Sequence, residues 1–159
     1  MSTLTKFTKS FSRWTKCEKC FMRYLTSYPG VISIEQSHWH FPDWDIKMAY
    51  ESDWKIKEAT YEVKSDRLSE QTHNFCIEYY NTKKGWPSGI ATSKADYYVY
   101  YADSKWWIAK RPELLVKLIW QCFTDIRDGG NDNSRMIILP VEQLPEYFEE
   151  LPEITEIPE

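Results

Sequence analysis

The chain has 159 residues, 42% of them hydrophobic and 28% charged, with a formal net charge of -4. That length suits one compact domain rather than two, and the composition is that of an ordinary globule with no apolar run long enough to span a membrane. The opening MSTLTKFTKSFSRW lacks the continuous apolar segment of a signal peptide, so the expectation is a cytoplasmic protein without a membrane partner.

Charge and rings are unevenly placed. Seven acids and no base follow position 141, so the 20 bases of the chain face 17 acids in residues 1–141, a net charge of about +3 for the body. An acidic tail of this kind solubilises the chain or covers a basic groove when no ligand is bound. The 8 Trp, 11 Tyr and 7 Phe supply core volume, and any that remain exposed are stacking surfaces for nucleobases. Cys17 and Cys20 form a single CxxC with no second pair, and His38 and His40 lack zinc-finger spacing, so reduced thiols on a helix are expected rather than a metal knuckle.

Positions 3–28 hold neither Pro nor Gly, and their apolar residues have helical spacing. Phe7, Phe11, Trp14, Phe21, Met22 and Leu25 make one stripe, while Lys6, Lys9, Arg13, Lys16 and Arg23 make another. Glu18 falls inside the apolar stripe. An acid aimed at a core needs a partner, either a buried Arg or a cation, unless it snorkels to solvent.

After a short apolar stretch at 31–34, the segment from His40 to Lys64 has the alternation of a hairpin. With the turn at Asp53-Trp54, Trp44, Ile46 and Met48 face Val63, Tyr61 and Ala59, and Asp45 sits opposite Glu62. Positions 65–74 are polar and expected as a mobile loop. Strands follow at 75–80, 97–101 and 105–110, with a loop containing a short helical turn between the first two. Arg111-Pro112 opens a helix whose expected core stripe is Leu115, Leu118, Ile119, Cys122, Phe123 and Ile126, stopped by Gly129-Gly130. A strand at 136–140 and a short acidic helix at 144–152 complete an α/β or α+β fold around a mixed sheet.

Asp45, Glu62 and Lys64 lie on one face in this register. Two carboxylates on adjacent strands, with the Val63 carbonyl between them, match the oxygen preference of Mg²⁺ or Mn²⁺. A lysine two residues on can orient water and offset charge on a phosphate. This pattern resembles the PD-(D/E)XK nuclease superfamily. The stretch from Asn74 to Tyr101, with its IE strand, PSG loop and ADYY strand, is similar to small phage-encoded members, so the resemblance covers roughly positions 40–108. The literal Pro-Asp is Pro42-Asp43, so the first acid is Asp43 or Asp45; the hairpin register favours Asp45.

The resemblance implies a restriction-endonuclease-like domain over residues 1–141, followed by the acidic helix and tail at 142–159. It implies a DNA endonuclease in a bacterial or phage-infected cell, hydrolysing phosphodiesters with a metal-activated water, as a possible homodimer; branched, single-stranded and duplex DNA all stay open as its substrate. Asp45 and Glu62 would hold the metal with Val63, Lys64 would position the water, and Glu18 would complete the shell from the first helix. Lys83, Lys84, Lys94 and Arg67 are the candidate phosphate contacts. Glu78, Trp86 and His73 are further residues of interest near the site, each with an ordinary structural role open to it. Two other functions fit the same sequence: a non-catalytic nucleic-acid-binding module on a nuclease fold, and a phage-type interaction protein using its acidic tail.

Overall fold

The computed structural model describes residues 15–37, 43–121, 126–129 and 134–158. The expected helical stripe over 3–14, His38, His40 and the Pro42 half of the Pro-Asp motif lie outside them.

Helix α1 (Lys16–Thr26) starts where Thr15 caps it: the Thr15 side chain accepts from the Glu18 N–H, and the Glu18 side chain accepts from the Thr15 N–H, a reciprocal capping box. It stops before Tyr28-Pro29-Gly30, where proline cannot continue the ladder. Its Cys17, Cys20, Phe21 and Leu25 are buried.

Strand β1 (Val31–Gln36) pairs with β2 (Ile46–Ser52), and β2 with β3 (Lys55–Asp66), both antiparallel. The β2–β3 register is the expected one, with Ile46 opposite Tyr61 and Met48 opposite Ala59. Its two-residue turn places Asp53 and Trp54 at φ of 54° and 61°, the left-handed pair of a type I′ hairpin, whose twist matches the strands.

After β3 comes a short helix α2 (Ser69–Thr72), then β4 (Asn74–Asn81), the two-residue β5 (Trp86–Pro87) and a 3₁₀ turn (Gly89–Ala91). The chain returns as β6 (Tyr97–Ala102), parallel to β3, and β7 (Lys105–Lys110) follows through a second turn with both residues left-handed, Asp103 and Ser104. Helix α3 (Arg111–Gln121), β8 (Ile126–Gly129), β9 (Ser134–Pro140), a 3₁₀ turn (Val141–Gln143), helix α4 (Leu144–Tyr147) and β10 (Glu149–Glu150) complete the chain.

These strands form two sheets, ordered β1-β2-β3-β6-β7-β10 and β5-β4-β9-β8. The larger is mixed, because β3–β6 is a parallel pair among antiparallel ones. The class is α+β, in one body. Alternation along β3 and β6 gives the large sheet two apolar faces. Tyr61, Val63, Val99 and Tyr101 pack with Phe21 and Leu25 of α1, while Tyr98, Tyr100 and Ala102 pack with Phe75 and Ile77 of β4 and Leu114 and Leu118 of α3. Loss of a ring such as Phe21, fully buried at 0% exposure, would cost about 3–5 kcal/mol.

Four expectations need correction. Positions 65–74 are not a loose loop: β3 runs to Asp66, Ser69 is fully buried, and its hydroxyl donates to the Asp66 carbonyl and accepts from the Asp103 N–H. The core stripe of α3 is Leu114 and Leu118 with Leu115 partly buried, whereas Ile119 is exposed. Ile126 belongs to a strand rather than to that helix, and Cys122 and Phe123 lie outside the described residues. The acidic segment is only partly helical, since Glu149 and Glu150 pair with Ile108 and Trp107 of β7. The remaining tail is strapped across α1 and β7: Ile154 is buried, the Trp106 Nε1–H donates to the Glu156 carbonyl over 2.9 Å, and Arg23 pairs with the Glu156 carboxylate.

Candidate active site

The alternation that sends Tyr61 and Val63 towards α1 sends Glu62, Lys64 and Asp66 to the opposite face, towards the second sheet. There β4 presents Cys76 and Glu78. Between the sheets lies an open cleft of about 1110 Å³ that takes in Asp43, Glu62, Lys64, Asp66, Glu78, Lys84 and Trp86.

Asp45 and Glu62 are held by different devices. Asp45 precedes β2, where its N–H donates to the Tyr61 carbonyl over 2.9 Å and its Oδ2 accepts from the Val63 N–H over 2.8 Å. Register carried from Ile46–Tyr61 puts it opposite Glu62. Glu62 is only 7% exposed; its Oε1 lies 2.6 Å from the Lys64 Nζ and its Oε2 accepts from the Ser93 hydroxyl over 3.4 Å. Burial pushes the Glu62 carboxyl up, Lys64 pulls it down and the nearby Asp45 charge raises it again; the net is raised. Asp45 is raised as well, by burial against the opposing pull of Lys64 and the Val63 amide. Two adjacent carboxylates that both resist ionisation form a place where a positive charge is favoured.

Of the two candidate first acids, Asp45 is the one beside Glu62. Asp43 is exposed at the cleft margin, where it pairs with Lys94 at 3.3 Å and its carbonyl accepts the Lys94 N–H over 2.8 Å. Val63 touches Asp45 through its amide. Glu18 is buried at 9% exposure and close enough to Asp45 to feel its charge, with burial as the larger cause of its raised pKa. Its partners are the Thr15 cap and the Gln36 side chain, at 3.1 Å from its Oε2, rather than an arginine. The Thr15-x-x-Glu18 spacing carried that signal in the sequence.

The candidate phosphate contacts divide. Lys84 lines the cleft and Lys94 sits at its margin through Asp43, while Lys83 is an exposed neighbour in the same turn as Lys84. Arg67 stands on the other face, donating to the Pro158 carbonyl over 3.3 Å near Cys17 and Tyr101. His73 caps α2 in a left-handed conformation, away from the cleft lining. Glu78 accepts from the Ser88 hydroxyl over 2.6 Å and adds to the negative field around Lys64. That contact depends on Gly89: at its φ of +54° a Cβ would lie 2.3 Å from the Glu78 carbonyl oxygen. Cys17 and Cys20 are free, buried thiols, and burial pushes Cys20 up to about 11.

Sequence reasoning missed Ser93 and Asp66. Asp66 continues the Glu62, Lys64 alternation and accepts from the Cys76 N–H over 2.9 Å, tying the two sheets together at the cleft. Ser93 arrives from the turn after the 3₁₀ segment and had no local signal.

Among the described residues, no three His, Cys, Asp or Glu side chains converge closely enough to hold a metal ion. Asp45 and Glu62 form a pair of hard oxygen donors, which fits Mg²⁺ or Mn²⁺ completed by water rather than a softer ion. Among the described residues no helix is long and apolar enough to cross a membrane. Compared with known proteins, the chain matches no family model and no curated protein.

Proposed function

We propose that the chain is a divalent-cation-dependent DNA endonuclease that hydrolyses phosphodiesters in the cleft between its two sheets. The observation that supports this most is Lys64, whose ammonium stands 2.6 Å from the buried Glu62, itself opposite Asp45 across the β2–β3 pair. Asp45 and Glu62 would hold Mg²⁺ or Mn²⁺. Such an ion supplies Lewis-acid stabilisation of the phosphate and makes water a better nucleophile at neutral pH. Lys64 keeps its proton, since burial works against the charge but Glu62, Asp45 and Glu78 outweigh it and raise its pKa. It therefore faces the cleft as a fixed cation, suited to orient water and to offset charge building on the phosphate oxygens. Lys84 and Lys94 at the margin suit backbone phosphates.

The same ion pair favours a second reading. A Glu62 oxygen occupied by Lys64 is one a metal ion would have to win, as expected of a binding module that has lost its chemistry. A cleavage assay separates the two, using wild type and Lys64→Ala on duplex, single-stranded, flap and four-way-junction DNA with Mg²⁺, Mn²⁺ or EDTA. Metal-dependent cutting that disappears in the variant supports the nuclease. DNA binding without cutting, together with no heat of Mn²⁺ binding by calorimetry, leaves the binding module.

A further inference from the structure

We infer that β5 forms a stacking platform for an unpaired nucleobase, so that the strand entering the cleft is single-stranded where it passes Trp86; the inference rests on reading the cleft as a nucleic-acid site. Trp86 lines the cleft yet is 58% exposed, and it belongs to neither apolar core, whereas Trp106 and Trp107 are both buried. A tryptophan left in solvent forgoes the burial its ring would otherwise gain, and a rigid setting turns that exposed face into a contact surface. The setting is rigid. The Asn81 carbonyl accepts the Gly85 N–H and its side-chain oxygen accepts the Lys84 N–H, both over 2.9 Å, Pro87 restricts the backbone of Trp86 before it, and the Ser88 N–H donates to the Tyr79 carbonyl over 3.0 Å.

Charge placement completes the case. The Lys84 Nζ lies 5.9 Å from the Trp86 ring centroid. An exposed ring with a cation at its side matches a chain that alternates flat bases with phosphates. A duplex offers only base edges and backbone, because its base faces are covered by their neighbours. Only an unpaired or frayed base can present its face to Trp86.

The test is fluorescence anisotropy in EDTA, which prevents cutting, with a thymidine homopolymer and a duplex of equal length as probes. Trp86→Ala should lower the preference for single strand over duplex about tenfold, and Trp86→Phe should keep most of it. A 2-aminopurine in the single strand should be quenched by wild type and not by Trp86→Ala. An unchanged preference in Trp86→Ala overturns the platform. If wild type cuts no DNA but binds single strands through Trp86, the platform stands and the nuclease reading falls. If cutting depends on Lys64 while the strand preference ignores Trp86, the nuclease stands and the platform falls.

Discussion

The Lys64 ammonium and the Glu62 carboxylate, two residues apart on one face of β3, are 2.6 Å apart, with Glu62 buried and the Lys64 side chain 39% exposed. In the proposed nuclease the pair would set charge repulsion against catalytic need: Lys64 would oppose a second cation while supplying the charge a phosphate requires. Removing it should therefore split two measurements. Lys64→Ala should bind Mn²⁺ at least as tightly as wild type by calorimetry, while single-turnover cleavage falls by about 10²–10³-fold, the loss typical of one removed charge-stabilising donor. Weaker Mn²⁺ binding in the variant would mean that Lys64 supports the acids structurally rather than competing with a metal.

Asp45, Glu62 and Glu18 all have raised carboxyl pKa values, chiefly through burial, against ordinary values of 3.8 for Asp and 4.5 for Glu. Between those ordinary values and the raised ones, the folded chain binds more protons than the unfolded chain. The stability these groups contribute is full below the ordinary values and declines as pH rises through the raised ones. Asp45→Asn keeps an oxygen able to accept from the Val63 amide and removes the charge. At neutral pH it should melt about 2–4 °C above wild type, the shift that roughly 1 kcal/mol gives in a chain of this size, with the gap narrowing as pH falls towards 4. A lower melting temperature at neutral pH would show that attraction to Lys64 outweighs burial.

Trp54 is 95% exposed at φ +61°, beside Asp53 at φ +54°. A side chain in the left-handed region costs about 1–2 kcal/mol that glycine avoids, and no packing is lost when so exposed a ring is removed. Asp-Gly is moreover the preferred type I′ turn. Trp54→Gly should raise the melting temperature by about 2–4 °C and leave the pairing of Asp45 with Glu62 intact. Thermal melts check the first part. A fall in stability would show that the indole makes a contact in solution that the exposed position conceals.

The hairpin was legible because its information is local. Period-two alternation and a two-residue turn fix which acid meets which, so Asp45, Glu62 and Lys64 came together as expected. The same alternation, carried past Asp66, would have put Arg67 on the α1 side. The second sheet was not legible, because β4 finds its partner far along the chain, with Asn74 opposite Pro140. In α3 two adjacent stripes share the same spacing, Leu114 with Leu118 and Leu115 with Ile119. Only contact with β4 and β6 selects the first. Ser93 reaches Glu62 from a different part of the chain, and no spacing rule connects them.

The tail offers a prediction in which two kinds of contact separate. The Arg23–Glu156 ion pair has side chains 44% and 43% exposed, so solvent screens it and Glu156→Ala should cost less than about 1 kcal/mol. The backbone carbonyl of Glu156 survives that change and still takes the buried Trp106 indole N–H. Deleting residues 154–159 removes that acceptor, the buried Ile154 and the Pro158 carbonyl that Arg67 contacts. An orphaned indole N–H and a lost aliphatic side chain together should cost on the order of 3 kcal/mol, about 6–12 °C in melting temperature. Because the tail lies on the α1 face and the cleft on the other, DNA affinity measured well below the melting transition should stay as it was. A truncated chain that bound DNA more tightly would instead show the acids acting as a cover over the basic side of α1, where Glu156 already meets Arg23.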